Sequence, residues 1–438
     1  MSFNIGLSGL YAANKSLDVT GNNIANVATV GFKSSRAEFA DQYSQSIRGT
    51  SGGTNVGSGV YTAAVTQQFT QGALTTGTGR DLDLAINGNG FFMMSNNGEK
   101  LYTRAGNFHT DTSGNIVDTN GSNLQGYSTD ANGNVMTGVL TNLKVDTSNM
   151  APKATGSISI ASNLDSSKAI VTGADFDPAD TSTYTSTFST PIYDSQGNEH
   201  TLSQYFRKTD TNSWTMYSLI DGRNISAPGT DPVVPDATQL EFDGAGNLKP
   251  ITTTTANITV NDDNTMTIVG WKPAQSKTDS TGTTWVANGA DSKDMKLDML
   301  ATTQTNAAGG AISKSQDGNY TGQISAMNVD SGGNLFATYT NGQSKVIGQV
   351  ALTTFANVQG LAPAGGTAWR ETYASGIPVT GAPESGTLGS LTGSALEESN
   401  VDLTGELVEL IKAQSNYQAN AKTISTESTI MQTTIQMA

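Results

Sequence analysis

Apolar residues at both extremes of the chain recur in alternating steps of three and four, and this pattern constrains the fold more than any other feature. At the front the positions are Leu7, Leu10, Asn14, Leu17, Gly21, Ile24 and Ala28. At the back they are Leu403, Leu407, Leu410, Gln414, Tyr417, Ala421, Ile424, Ser428, Met431 and Ile435. A period of 3.6 residues places each set along one stripe of an α-helix. The second stripe meets no Pro or Gly after Gly405, and at about 1.5 Å per residue Leu403 to Ala438 spans roughly 54 Å. So long and narrow a seam needs a partner helix. The front helix is weak alone, because Asn14 and Gly21 interrupt its seam and Gly costs about 1 kcal/mol against Ala.

Two readings are open: each stripe is the core helix of a neighbouring domain, or the two pair with each other and with copies of the chain. Both lie at termini, where chains fray unless tied down, and polar segments separate both from the middle. Pairing is the more economical reading. The expected assembly interface is therefore Leu7, Leu10, Leu17 and Ile24 with Leu403, Leu407, Leu410, Tyr417, Ile424, Met431 and Ile435.

Between the stripes the pattern changes to short alternating runs broken by turns. The pentad D-x-x-G-N begins at Asp111, Asp130, Asp194, Asp243 and Asp330. In each, Asp caps a reversal and Gly supplies a positive φ. Asn341-Gly342, between LFATYT and QSKVIGQV, reads as a two-residue hairpin turn. Gly is abundant (48 residues) and charged residues are scarce (14%), which suits turn-rich β structure. The middle is expected to be all β, built from hairpins. Three polar stretches read as linkers or surface excursions: 44–59, about Ser276 to Asp317, and Gly376 to Ser390.

The residues offer little chemistry. Without cysteine there are no disulfides, thiolate metal sites or cysteine nucleophiles. His109 and His200 stand alone in separate hairpin regions, and no HExxH, GxSxG or Walker-type motif occurs. GTGRDLD from Gly77 lacks the third glycine of a dinucleotide fingerprint. Asp81 with Asp83, and Glu397 with Glu398, are expected on solvated faces. In DANGNV, from Asp130, Val135 stands where an EF-type calcium loop needs Gly, and no Glu lies at the twelfth position. No catalytic residue, cofactor or metal is expected. A net charge of −15 without a basic block argues against nucleic acid. MSFNIGLSGLYAANKSL has no signal-peptide run, and no stretch approaches a membrane span, so no cleaved Sec signal and no membrane insertion are expected.

The two ends resemble the rod and hook protein family of the bacterial flagellum, and its hook members more than its shorter rod members. At the front the resemblance is carried by GLSGLYAANKSLDVTGNNIANVATVGFK, Gly6 to Lys33, with NNIAN and TVGFK as its signatures. At the back it is carried by Ser394 to Gln436, with SNVDL and YQANAKTI. These motifs cover roughly a sixth of the chain. Gln71 to Phe92 and Tyr102 to Gly121 are also similar to the family, and the segment after Lys33, with Phe39 and Tyr43, lies where hook members differ from rod members.

The resemblance implies a mainly β, multi-domain chain with paired N- and C-terminal α-helices, and sandwich or barrel-like β domains inserted between them. Residues 1–31 and 395–438 would form a helical axial core and 32–70 an extended hook-specific linker. Residues 71–146 and 319–394 would form an inner β domain, and 147–318 an outer one. The implied function is non-enzymatic: a structural subunit, exported through the flagellar secretion channel, that self-assembles into a flexible helical tube carrying torque from rod to filament. Implied partners are the chain itself, the distal rod protein, the hook cap, the hook–filament junction proteins and the export apparatus. The competing readings are a distal rod protein and a secreted carbohydrate-active or carbohydrate-binding β protein.

Overall fold

The computed structural model describes residues 2–42, 57–130, 133–173, 175–230, 232–252, 254–280 and 282–437. Tyr43 and most of the Gly-rich stretch 44–59 lie outside these residues. Two long helices bracket a middle of short strands: α1, Ser2–Ala25, and α2, Leu403–Met437. Asp402 starts α2, its Oδ1 accepting from the Thr404 amide at 3.0 Å and its carbonyl from the Glu406 amide at 2.9 Å.

The helices pack on each other through small residues. A Cβ on Gly9 would lie 2.5 Å from Asn420 Oδ1, and one on Gly6 3.2 Å from Ile424 Cγ1. The deeply buried line on α1 is Gly6, Ala13 and Thr20, at heptad spacing, followed by Asn23. This line runs one residue ahead of the stripe expected from the large apolar residues. Small side chains let the helices approach closely and turn Leu7, Leu10, Leu17 and Ile24 to its flanks, where they are half-buried. Asn14 is exposed and Gly21 has open space at its Cβ. Neither interrupts the contact with α2.

The chain divides into two compact units: residues 1–147, 324–338 and 343–438 form the first, and 148–323 with 339–342 the second. In the first, Ser35–Asp41 and Val60–Gln67 form an antiparallel ribbon with a bulge at Glu38/Phe39. Strands also run in the order Asn334–Tyr339, Ser344–Val350, Asn123–Thr129, Phe91–Asn96 and Glu99–Thr103. Their core is Leu84, Ile86, Phe92, Met94, Phe108, Leu124, Val350 and Leu352. The expected turn at Asn341-Gly342 reverses the chain, but the pairing of Thr338 with Ser344 centres the reversal on Asn341, so its loop has an odd number of residues. Gly342 takes φ +78° and its amide donates to Tyr339 O at 2.9 Å. One residue of extra loop shifts the register.

The second unit sets an antiparallel four-stranded sheet (Ser186–Tyr193, Glu199–Asp210, Ser213–Ile220, Asp236–Glu241) against a six-stranded one. His200, Leu202, Gln204, Phe206 and Lys208 alternate inward along one strand. Their core includes Ile158, Ile160, Trp214, Met216, Met295 and Leu297. Two expectations fail here. The pairings are not all hairpins, because Ser157–Asp165 runs parallel to Met295–Asp298 and to Thr303–Thr305. The stretch Ser276 to Asp317, expected as a linker or surface excursion, supplies both of those strands and buries Met295, Leu297 and Met299. A strand of four residues between polar flanks carries too little alternation to be seen, and its partner is more than a hundred residues away in sequence.

The pentads from Asp111, Asp194, Asp243 and Asp330 build one turn, and Asp130 makes the same bonds to Gly133 and Asn134. In the first, Asp111 Oδ1 accepts from the Ser113 and Asn115 amides at 2.7 and 2.8 Å, Oδ2 accepts from Asn115 Nδ2 at 2.9 Å, and Gly114 has φ +82°. Both carboxylate oxygens thus serve the turn's own donors. Asp118-Thr-Asn-Gly-Ser122 makes the same turn with Ser in the last place, a variant the pentad pattern misses. Part of Gly376 to Ser390 is likewise ordered, with Val379–Gly381 pairing with Leu352–Thr354.

Candidate functional site: the helix pair and its root

The signature residues at the two ends meet where the helices join the β structure of the first unit. Asn23, 1% exposed, donates from Nδ2 to Ser35 O at 2.8 Å and to Glu406 Oε1 at 2.9 Å, while its Oδ1 accepts from the Ser35 amide at 2.9 Å. One amide side chain therefore ties the end of α1, the start of the ribbon and the first turn of α2. Asn400 does the same from the other terminus. Its Oδ1 accepts from the Ser34 amide at 2.7 Å, and its Nδ2 donates to Gln68 O at 2.7 Å and to Thr70 Oγ1 at 2.9 Å.

Below them lies a buried ion triad. Lys33 and Glu397 have fully buried side chains, and Lys33 Nζ donates to Glu397 Oε1 at 2.5 Å and to Thr70 O at 2.6 Å. The Gly72 amide also donates to Glu397 Oε1, at 2.9 Å. Arg104 Nε lies 3.1 Å from Glu397 Oε2, an ion-pair distance without the alignment of a hydrogen bond. The two terminal nitrogens of Arg104 donate to Gly90 O and Gly88 O at 2.8 and 2.9 Å. Burial lowers the pKa of Lys33, and the Arg104 charge adds to this, against the opposing charge and hydrogen bond of Glu397. Burial likewise lowers Arg104, again opposed by Glu397. Gly31 completes the root: its φ is +68°, its amide donates to Glu397 O at 2.8 Å, and a Cβ there would lie 2.4 Å from the Ala105 amide nitrogen. TVGFK is thus a sharp exit from α1 that delivers Lys33 to Glu397.

Two carboxylates expected on solvated faces are buried instead. Glu397 is the centre of the triad, and Asp83 is 2% exposed beside Arg80, whose Nε is 3.9 Å from Asp83 Oδ1. Asp83 alternates with Leu82 and Leu84 as a half-wet strand would and has its ion-pair neighbour three residues away, whereas the burial of Glu397 depends on Lys33 and Arg104, far away in sequence. Asp81 is exposed and accepts from the Met327 amide. His109 is exposed, whereas His200 is buried in the second unit, with Nδ1 2.6 Å from Asp221 Oδ2 and Nε2 3.3 Å from Asp194 Oδ2. Burial alone would lower its pKa, but the two aspartates outweigh burial and raise it.

The helix pair leaves much apolar surface uncovered. Of the expected interface, Leu410 and Ile424 are half-buried, while Leu403, Leu407, Tyr417, Met431 and Ile435 are exposed. Val408, Ile411 and Ile430 are exposed as well, off the expected stripe, and so are Phe3 and Tyr11 on α1. Ala413 is the one α2 residue buried among those described. No helix among the described residues is long and apolar enough to cross a membrane.

Sequence comparison bears on this helix pair and on the β structure together. Four family models match in order along the chain: flagella basal body rod protein at 3–33, flagellar hook protein FlgE/F/G D1 domain at 85–167, flagellar basal body protein FlaE D2 domain at 163–319, and flagellar basal body rod FlgEFG protein C-terminal at 392–437. The flagellar hook protein FlgE of Escherichia coli K12 is 37% identical over 441 residues, covering 100% of both chains. The chain belongs to the flagellar hook protein family. The family's Salmonella typhimurium LT2 member is 38% identical with the same coverage, and the Treponema pallidum Nichols member is 32% identical over 99% of this chain and 98% of its own. The chain is accordingly a structural subunit of the flagellar hook, and the hook resemblance extends through the middle region that carried no motif. In the family's terms, the rod-type models match the two helices and the signature residues at their root.

Proposed function

We propose that this subunit polymerises through α1 and α2 into a flexible helical tube that carries torque from rod to filament as a universal joint. The observation that carries the reading is the apolar surface left on α2 by a single chain: Leu403, Leu407, Ile411, Met431 and Ile435 face solvent on a 35-residue helix. Full burial of such a side chain is worth about 1.5–3 kcal/mol, of which the single chain has already gained part, and copies of the same helix pair can cover the remainder. The interface then consists of Leu7, Leu10, Leu17 and Ile24 with Leu403, Leu407, Leu410, Tyr417, Ile424, Met431 and Ile435. These helices form the inner wall, and the β units lie outside.

Helices with this much uncovered surface are marginal alone and gain packing on assembly. That suits passage of the unfolded chain through a narrow export channel, and folding at the growing end. The distal rod protein, the hook cap and the hook–filament junction proteins are then its neighbours. Bending is assigned to the outer unit, around residues 147–318. Electron microscopy of the purified chain tests the reading: short curved tubes are expected, and a chain that stays monomeric at high concentration refutes it. Deleting the outer region should leave tubes with altered curvature.

A further inference from the structure

In the first unit, the loop between Ala368–Arg370 and Val379–Gly381 combines a hydrogen-bonded backbone with large apolar side chains that stand mostly in solvent. Ser375 is fully buried. Its Oγ donates to Thr372 O at 2.8 Å and accepts from the Thr372 amide at 3.0 Å, and its carbonyl accepts from the Asn357 amide at 3.2 Å. Asn357 Nδ2 donates to Ala374 O at 3.0 Å, and Thr372 Oγ1 donates to Gly360 O. The Gly360 backbone is so close that a Cβ there would lie 2.3 Å from the Ala374 carbonyl carbon. From this clamped base Tyr373 projects with 105% of its reference surface exposed and Ile377 with 85%, and Val379 is exposed beside them.

A flexible loop could fold such side chains back, but this one is held from both sides of the buried serine. Rigid display of an aromatic and a branched aliphatic side chain is how interfaces concentrate their binding energy. The charge pattern fits a second copy of this acidic chain as the partner, even with Glu371 and Glu384 bordering the uncharged run. The chain carries −15, yet no residue from Thr372 to Pro383 is charged. A patch that must meet a copy of the same acidic protein gains by carrying no charge, since like charges across an interface oppose association. We infer that Tyr373 and Ile377 form a fixed apolar peg that docks on a second copy of this chain when the subunits assemble. The inference rests on the polymerisation reading and adds a contact made by the β structure to those made by the helices.

The chain contains no cysteine, so Tyr373→Cys introduces a single thiol. Maleimide labelling should be fast in the monomer and slowed at least about tenfold in tubes, the factor that corresponds to a modest contact free energy. The variant Tyr373→Ser/Ile377→Ser should melt like the parent, because both side chains are free in the monomer, and should raise the critical concentration for tube formation by about tenfold or more. Labelling at the monomer rate in tubes, or an unchanged critical concentration, overturns the peg while leaving the polymer reading intact. A parent chain that forms no tubes overturns the polymer reading itself, and the peg with it.

Discussion

Replacing Glu397 by Gln tests whether the root of the helix pair is held by charge. The substitution keeps the shape of the side chain and an oxygen that can accept from Gly72, but removes the only anion facing Lys33 and Arg104 in the triad. Breaking a buried ion pair by removing one partner costs about 3–5 kcal/mol, because the remaining charge stays desolvated. For a unit of this size each kcal/mol moves the melting temperature by about 2–4 °C, so the first unit should melt roughly 6–20 °C lower. Two units make one global transition unsafe as a readout, so calorimetry should be paired with hydrogen exchange at Ser34, Ser35 and Gly72. The loss should also depend on pH. Lys33 has a folded pKa below its unfolded value, so the unfolded state holds the proton more tightly and stability rises with pH towards about 10.4, the unfolded lysine value. Without Glu397 the folded pKa falls further, and the penalty is largest near neutrality and shrinks at alkaline pH. Adding Lys33→Met to Glu397→Gln should recover part of the loss, giving a measurable coupling. A Glu397→Gln protein that melts within about 1 kcal/mol of the parent at pH 7 would show that the triad is not held by charge.

Three other perturbations address separate parts of the molecule. His200→Gln should destabilise the second unit by about 1–3 kcal/mol in acid. Because the folded pKa of His200 is raised, that contribution is complete below about pH 6.5 and fades as pH rises through the folded value; a melt difference that grows with pH would contradict it. Leu410→Asp or Ile424→Asp should leave both β units folded by circular dichroism yet abolish tubes in the microscope, since assembly would bury an unpaired carboxylate; normal tubes would remove these residues from the interface. Gly31→Ala should cost more than about 2 kcal/mol, since the added Cβ meets the Ala105 amide nitrogen at a positive φ, and a stable variant would mean that the exit of α1 can shift freely.

The helices were legible because a 3.6-residue period recurs within each segment and needs no partner to be seen. The five Asp-x-x-Gly-Asn turns were legible for the same reason: capping carboxylate and positive-φ glycine sit within five residues of each other. The line along which the helices touch was not legible. Large apolar residues mark the stripe in sequence, whereas contact follows Gly6, Gly9 and Ala13, whose small size matters only once a second helix lies against them.

Burial of charge followed the same rule. Glu397 beside Glu398 and Asp83 beside Asp81 look alike as sequence, and nothing local distinguishes a carboxylate that meets water from one that meets Lys33 and Arg104. The strand Met295–Asp298 also needed its parallel partner, Ser157–Asp165, before its polar surroundings could be read as core. Local patterns were enough for the terminal helices, the β-rich middle, the repeated turns and the family. Tertiary structure decided which small residues make the helix contact, which charges are buried at its root, and which apolar side chains a single chain leaves uncovered. These depend on residues far apart in the chain meeting in space, and a local pattern holds no record of such meetings.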